Sequence, residues 1–176
     1  MMKEYFVLKQ DERETDVPVL VDIRRQIDVR DIHWTSAHKL AEMIVMQVRA
    51  NQESTCPDVL DGQLYLISDR LKRLVELYAP DTIFKQTPLI DLKYRRQHHY
   101  FLPIFEEVEA LSSHSERVGD GSVIRKLVLN GELLSGKRIV RIKESGKPLI
   151  VVRLDVAESI LRRDFAGVRL ERVQVE

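Results

Sequence analysis

The chain has 176 residues, of which 44% are hydrophobic and 32% charged, and its formal net charge is zero. This composition is typical of a folded protein of single-domain size and excludes a disordered chain. Proteins that bind nucleic acids generally carry a basic excess, so the zero net charge argues against that class of partner, while it permits a homodimer.

The cysteine content and the hydropathy further restrict the class of protein to which the chain can belong. Cys56 is the only cysteine, which excludes an intrachain disulfide framework and a metal site made of several thiolates. No stretch approaches the roughly 18 consecutive apolar residues of a membrane-spanning helix, and residues 1–14 lack the apolar core of a secretory signal. We therefore expect a cytoplasmic protein without membrane contact, and one domain over residues 1–176.

The first half of the chain favours strands over helices. Strands are predicted where apolar residues alternate or run together, at 3–10, 18–21, 40–49, 64–67 and 82–84. The segment 40–49 also has apolar residues at helical spacing, but its compact Met43–Met46 run favours a strand. Residues 51–61 are polar and end in Asp61-Gly62, which predicts a loop closed by a turn.

One helix is strongly indicated in this half. Ser68 follows an apolar run and can cap a helix, whose apolar stripe consists of Leu71, Leu74, Val75 and Tyr78. Pro80 then stops it. Residues 64–84 thus predict a strand–helix–strand unit.

The second half is also rich in predicted strands. They lie at 97–105, with a continuation through 106–111, and at 122–129 and 137–143. Pro103 inside the first of them predicts an edge strand or a bulge, because proline cannot donate to a ladder. Residues 112–121 are predicted as a loop, Asn130-Gly131 as a turn, and 144–147 as a hairpin connection.

A second strand–helix–strand unit is predicted at 148–175. The strand 149–152 precedes a helix that Asp155 would cap, with Glu158 at capping-box spacing, and a strand starts at Val168. Its alternation slips near Arg172, which predicts a bulge. Ser68 to Ile83 and Arg153 to Val168 both span 15 positions. The two units could be a duplication or a coincidence, and they predict an α+β fold with mostly antiparallel sheets and few short helices.

No motif in the chain indicates a catalytic, metal-binding or cofactor-binding site. His33 and His38 are five apart, and the adjacent His98 and His99 would point to opposite faces of a strand, so neither pair suits a metal. Cys56 lies in a predicted loop without a histidine linked to it in the sequence. Glycine-rich phosphate loops and nucleophile elbows do not occur. We expect no catalytic residue, no metal and no cofactor.

The stretch 94–100 has the composition of a recognition surface. Its aromatic rings alternate with fixed or titratable positive charge, and the residues we expect to contact a partner are Tyr94, Arg95, Arg96, His98 and Tyr100. The partner would be a protein, or RNA bound through stacking and phosphate contacts. An edge strand with a solvated polar face explains the same pattern. From Lys137 onward, ten Lys or Arg stand against six Asp or Glu, which makes the C-terminal part a second candidate surface.

Several of these segments together resemble a known family. They are Tyr5–Leu8, Trp34 before a strand, Pro57-Asp58 before a turn, Leu66–Leu71 entering a serine-capped helix, Tyr100–Leu102, and the run from Ile139–Arg141 to Leu170–Val173. The chain resembles the predicted immunity proteins of bacterial polymorphic toxin systems, specifically the family numbered eleven, formerly a domain of unknown function. It departs from the family at Arg153, where members tend to repeat the serine cap.

The resemblance implies an α+β immunity protein, not an enzyme, that binds a cognate toxin in the cytoplasm and occludes its active site. Because the toxins of the family vary, it transfers no contact residue. Two alternatives stay open. An enzyme of unrecognised type would need a pocket near Cys56, His98 or His99, and an RNA-binding or regulatory module would use residues 94–100.

Overall fold

The computed structural model describes residues 3–176, and their contacts form two compact units. The central unit comprises Gln10–Phe105 and Phe165–Val168, and the terminal unit comprises residues 3–9, Glu106–Asp164 and Arg169–Glu176. The single domain expected over residues 1–176 stays a prediction.

The central unit is built around a six-stranded sheet with the strand order β2-β3-β6-β7-β5-β4. Its strands are β2 (Val19–Val21), β3 (Met46–Arg49), β4 (Val59–Leu60), β5 (Leu66–Ser68), β6 (Ile83–Asp91) and β7 (Arg96–Ile104). Its helices are the short α1 (Ile23–Gln26), 3-10 turns at Val29–Asp31 and Ala37–Lys39, and α2 (Asp69–Tyr78). β3 is parallel to β6, and the other neighbouring pairs are antiparallel.

Helix α2 forms for the reasons that the sequence indicates. The Oγ of Ser68 accepts a hydrogen bond of 3.2 Å from the backbone N–H of Leu71, which satisfies one of the free donors of the first turn. Leu71, Leu74 and Val75 are buried, and the helix packs against β5 and β7. The helix thereby supports β7, the second strand of the long β6–β7 hairpin.

The terminal unit has a second six-stranded sheet with the order β11-β14-β1-β13-β12-β8. Its strands are β1 (Tyr5–Gln10), β8 (Glu107–Val108), β11 (Val128–Leu129), β12 (Ile139–Ile142), β13 (Ile150–Arg153) and β14 (Val168–Val175). β9 (Glu116–Val118) and β10 (Val123–Lys126) form a separate hairpin, and the helices are α3 (Gly131–Leu134) and α4 (Leu154–Leu161). Tyr5, Val140, Val151 and Val173 share a buried cluster on one face of this sheet.

These elements confirm the predicted fold class. Residues 3–176 contain 14 strands in mostly antiparallel sheets and four short α-helices. Both strand–helix–strand units are present, as β5-α2-β6 and β13-α4-β14.

The prediction that the strand containing Pro103 lies at an edge or carries a bulge is wrong. β7 lies between β6 and β5 inside the sheet, and it pairs with β6 in one continuous register. The proline is tolerated because β5 pairs with β7 only at Tyr100 and Phe101, so at Pro103 the strand has a single neighbour.

Other predicted segments divide where the chain changes sheet. Residues 106–111 do not continue β7, because β8 joins the other sheet beside β12. The predicted strand 122–129 is two strands, β10 and β11, which pair with different partners. The predicted loops 51–61 and 112–121 contain the short strands β4 and β9.

The predicted boundaries change at several other places. The predicted strand 40–49 begins only at Met46, and the strand expected at 82–84 extends to Asp91. Asn130 does not form a hairpin turn, because its side chain accepts hydrogen bonds from the N–H groups of Glu132 and Leu133 and caps α3.

The predicted cap of the last helix is also wrong. The N-cap of α4 is Arg153, which makes no side-chain cap, and Asp155 lies in the first turn. The carboxylate of Asp155 instead accepts two hydrogen bonds of 2.8 Å from the Arg153 guanidinium. A fork of this kind is a stronger interaction than a neutral cap, so the side chain has a better partner than the free N–H groups.

No helix formed by residues 3–176 has the length and apolar character needed to cross a membrane.

Candidate partner-binding site

The tip of the β6–β7 hairpin and the first residue after it carry three of the residues that the sequence singled out, Tyr94, Arg95 and Arg96. β6 ends at Asp91 and β7 begins at Arg96, so the tip consists of Leu92, Lys93, Tyr94 and Arg95. Leu92 is 66% exposed, and Arg95 has a φ of 53°, which side-chain-bearing residues rarely adopt. A conformation of this kind persists only where the surrounding structure holds it, so the tip must be braced from below.

Asp91 supplies the first part of that brace. Its side chain is 1% exposed, and its carboxylate accepts hydrogen bonds from the N–H of Tyr94 at 3.2 Å and from Nη2 of Arg96 at 3.0 Å. Desolvation alone would raise the pKa of this carboxyl. The hydrogen bonds from Tyr94, Arg96 and Lys93 and the charge of Arg96 outweigh it, so that the pKa of Asp91 is lowered. The carboxylate is therefore charged at neutral pH and holds both ends of the turn.

Arg96 supplies the second part. Its guanidinium donates to the backbone carbonyl of Gln52 through Nη1 and to that of Asn51 through Nη2, both at 2.8 Å. The same group lies 5.0 Å from the centroid of the Tyr94 ring. Arg96 therefore joins the hairpin to the loop after β3 and supports the aromatic ring of the tip from one side.

A groove adjoins the tip within the central unit. It has a volume of about 530 Å³ and is lined by Val21, Gln47, Val48, Arg49, Ala50, Asp91, Leu92 and Lys93. The charged groups at its rim are Arg49 and Lys93, because Asp91 is engaged with Arg96. With Arg95 at the tip, this surface favours a negatively charged partner.

His98 lies beside Cys56, which contradicts the expectation of a cysteine without a histidine. The Sγ atom is 3.5 Å from Nδ1 of the ring, although the residues are 42 positions apart. The Cys56 side chain is exposed, yet partial desolvation of the thiol raises its pKa more than the nearby charge of Arg96 lowers it. Burial and the Arg96 charge lower the pKa of His98. At neutral pH both groups are therefore neutral, and they do not form a thiolate–imidazolium pair.

Tyr100 is not part of the surface, and its assignment as a contact residue is corrected. The side chain is 3% exposed and belongs to the hydrophobic core of the central unit. Its hydroxyl donates to the backbone carbonyl of Pro57 at 2.7 Å. The physical reason is that Tyr100 lies in the stretch of β7 that β5 covers, whereas Tyr94 lies beyond it.

The basic C-terminal part is largely neutralised by ion pairs inside the terminal unit. Arg172 pairs with Glu4 and Arg153 with Asp155. Both pairs line a groove of about 1010 Å³. Because the cations of Arg153 and Arg172 already have acidic partners, this groove has less charge available for recognition than the tip.

Sequence reasoning found Tyr94, Arg95, Arg96 and His98 but missed Asp91, Leu92, Lys93 and Arg49. An aspartate that precedes a short polar turn is a signal for a side chain that binds the backbone of that turn, and it identifies Asp91. Nothing local indicates Arg49, which the parallel pairing of β3 with β6 brings to the groove. Among residues 3–176, no group of three or more His, Cys, Asp or Glu could hold a metal ion.

No protein-family model matches the sequence, and no curated protein matches it significantly. The resemblance to an immunity family is carried by the sequence segments quoted above and stays a prediction.

Proposed function

We propose that the protein is an immunity protein of a bacterial polymorphic toxin system, which binds its cognate toxin in the cytoplasm without turnover. The observation that supports this proposal best is the braced tip, Leu92–Arg95. It presents an aliphatic, an aromatic and two basic side chains on a turn that the buried Asp91 and the half-buried Arg96 hold in place.

Such a tip meets the physical requirements of a tight inhibitor. Aromatic and arginine residues contribute most of the binding energy in protein interfaces, and a rigid loop loses little conformational entropy on binding. The positive charge of Lys93, Arg95 and Arg49 would steer an acidic toxin surface toward the tip. Occlusion of the toxin's active site then needs no catalytic group.

The test uses the product of the neighbouring toxin gene. The two proteins are co-expressed, and cell growth and co-purification are measured. We expect survival and a 1:1 complex with the wild-type protein, and a Kd about 30-fold higher for Tyr94→Ala and for Arg95→Glu, as for interface residues that contribute about 2 kcal/mol.

Arg125→Glu is the matched control. It makes the same charge change on an exposed strand residue of the terminal unit and should leave the Kd within about threefold. If the wild-type protein neither binds the toxin nor protects the cells, the proposal is wrong. If Arg95→Glu and Arg125→Glu change the Kd equally, the tip is not part of the interface.

The contact of Cys56 with His98 favours a second candidate, a thiol-dependent enzyme. A nucleophilic cysteine needs thiolate character, which the raised pKa of Cys56 opposes. Cys56→Ser distinguishes the two functions: an immunity protein with this variant still protects cells, whereas a thiol-dependent enzyme loses its activity.

A further inference from the structure

The hairpins β4–β5 and β12–β13, which precede the two longest helices, α2 and α4, have the same register. In the central unit, Val59 pairs with Ile67 and Leu60 with Leu66. In the terminal unit, Ile139 pairs with Val152 and Val140 with Val151. In the central unit, Ile67 is followed directly by the helix N-cap Ser68. In the terminal unit, Val152 is followed in the same way by the helix N-cap Arg153.

In each unit, the strand that pairs with the second strand of the hairpin carries a tyrosine, and the two tyrosines make the same hydrogen bond. Tyr100 on β7 pairs with Ser68, and its hydroxyl donates to the carbonyl of Pro57 at 2.7 Å. Tyr5 on β1 pairs with Arg153, and its hydroxyl donates to the carbonyl of Lys137, also at 2.7 Å. Each accepting carbonyl belongs to the residue two positions before the first hairpin strand. A phenylalanine follows each tyrosine in the sequence.

The backbone around these tyrosines agrees as well. The N–H of Ser68 donates to the carbonyl of Asp58 at 2.9 Å, and that of Arg153 to the carbonyl of Arg138 at 2.8 Å. The strand after each helix lies beside the tyrosine strand and pairs in parallel with a strand that precedes the hairpin, as β6 with β3 and β14 with β11. Five strands and a helix thus occupy equivalent places in both units.

We propose that the central and terminal units are two copies of one structural repeat, and that the copies are circularly permuted relative to each other. In the central copy, the tyrosine strand β7 follows β6 through the four-residue tip 92–95. In the terminal copy, the tyrosine strand is β1, the first element of residues 3–176, and within these residues no turn joins it to β14. The equivalence of register, cap position and tyrosine contact is too detailed to follow from a shared fold class alone.

The permutation identifies which parts of the repeat are structural. The tyrosines, the hairpins and the helix starts occur in both copies, so they serve the fold. The tip 92–95 is the part of the central copy that the terminal copy lacks, which makes it an addition to the shared scaffold. The inference stands whether or not the proposed function is correct.

The test uses the full-length chain and gives each copy the order of strands that the other copy has. A circular permutant begins at Tyr94 and ends at Lys93, with a linker between Glu176 and Met1, so that β7 becomes the first strand and β1 follows β14. Linkers of zero, four and eight glycine or serine residues are compared by circular dichroism and Tm. The equal 15-position spans make Glu176 equivalent to Asp91 in sequence, and the equivalence of Tyr5 and Tyr100 makes Met1 equivalent to Arg96. The four-residue linker therefore matches the tip 92–95, and we expect it to give the highest Tm, within about 4 °C of the parent.

A second permutant with the same linkers opens at Asp120-Gly121, in the exposed turn between β9 and β10, and keeps the tip. It should show the same dependence on linker length. The proposal is overturned if neither permutant folds with any linker, or if the Tm of both rises steadily from zero to eight residues. A folded tip-opened permutant with its maximum at four residues supports it.

Discussion

Nη2 of Arg96 lies 3.0 Å from Oδ2 of Asp91, whose side chain is 1% exposed, at the base of the β6–β7 hairpin. The pair connects the last residue of β6 with the first residue of β7. Because Asp91 also accepts from the N–H of Tyr94, one carboxylate controls both the closure of the hairpin and the conformation of its tip. The order of the candidate binding surface therefore depends on a residue that a partner would hardly touch.

Asp91→Asn should loosen the tip and lower the Tm at pH 7, because an amide cannot accept both charge-assisted bonds. The pKa of Asp91 is lower in the folded protein than in the unfolded chain, so its stabilisation is present above the unfolded value of about 3.9 and is lost as the pH falls through the folded value. The Tm difference from the wild-type protein should thus shrink below about pH 4. Asp81→Asn, at an exposed position, is the control. A difference that is constant from pH 7 to pH 2 would contradict the role of the charge.

Tyr100→Phe should reduce the free energy of unfolding by about 1–2 kcal/mol, because the buried carbonyl of Pro57 loses its donor. Urea denaturation measures this difference. Tyr94→Phe, on the exposed tip, should change it by less than about 0.5 kcal/mol. A change below about 0.5 kcal/mol for Tyr100→Phe would show that the Tyr100 hydroxyl contributes little to stability.

Ser68→Ala should destabilise the protein by about 1 kcal/mol, the usual effect of removing a helix cap. The Ser68 hydroxyl both accepts from the N–H of Leu71 and donates to the carboxylate of Asp58. Ser68→Thr keeps the oxygen and should retain most of the stability. The prediction fails if alanine and threonine give the same urea midpoint.

Alkylation of Cys56 should be slow at neutral pH although the side chain is exposed, because partial desolvation raises the pKa of the thiol and the reactive thiolate is scarce. The rate with iodoacetamide should keep rising with pH through about pH 9, the region in which an ordinary thiol with a pKa of about 8.5 already levels off. In urea, the unfolded chain serves as the reference for the free thiol. A rate plateau near pH 7 that disappears in His98→Ala would instead show that His98 activates the cysteine.

Local sequence predicts whether a segment is a helix or a strand wherever a single residue determines the backbone conformation. Ser68 caps α2, an apolar stripe buries it and Pro80 follows its end, so this helix was predicted closely. Predictions failed where a neighbouring residue competes for the same side chain. Asp155 could have capped α4, but the guanidinium of Arg153 binds its carboxylate.

The candidate site was predictable in part for the same reason. The aromatic and basic residues of 94–98 lie close together in the sequence, and all of them lie at or near the hairpin tip. Tyr100 has the same composition signal, yet it is buried. Composition alone could not separate these two tyrosines, because the boundary between them is the end of the strand β5 that covers β7.

The sequence by itself determined the α+β class, the capped helix α2 and the two strand–helix–strand units, since hydrophobic periodicity and capping act over a few neighbouring residues. The tertiary structure alone decided which strands are adjacent, because pairing depends on contacts between distant segments. It placed β7 inside its sheet, brought Cys56 to His98 across 42 positions, and gave the terminal unit its tyrosine strand from the start of the chain.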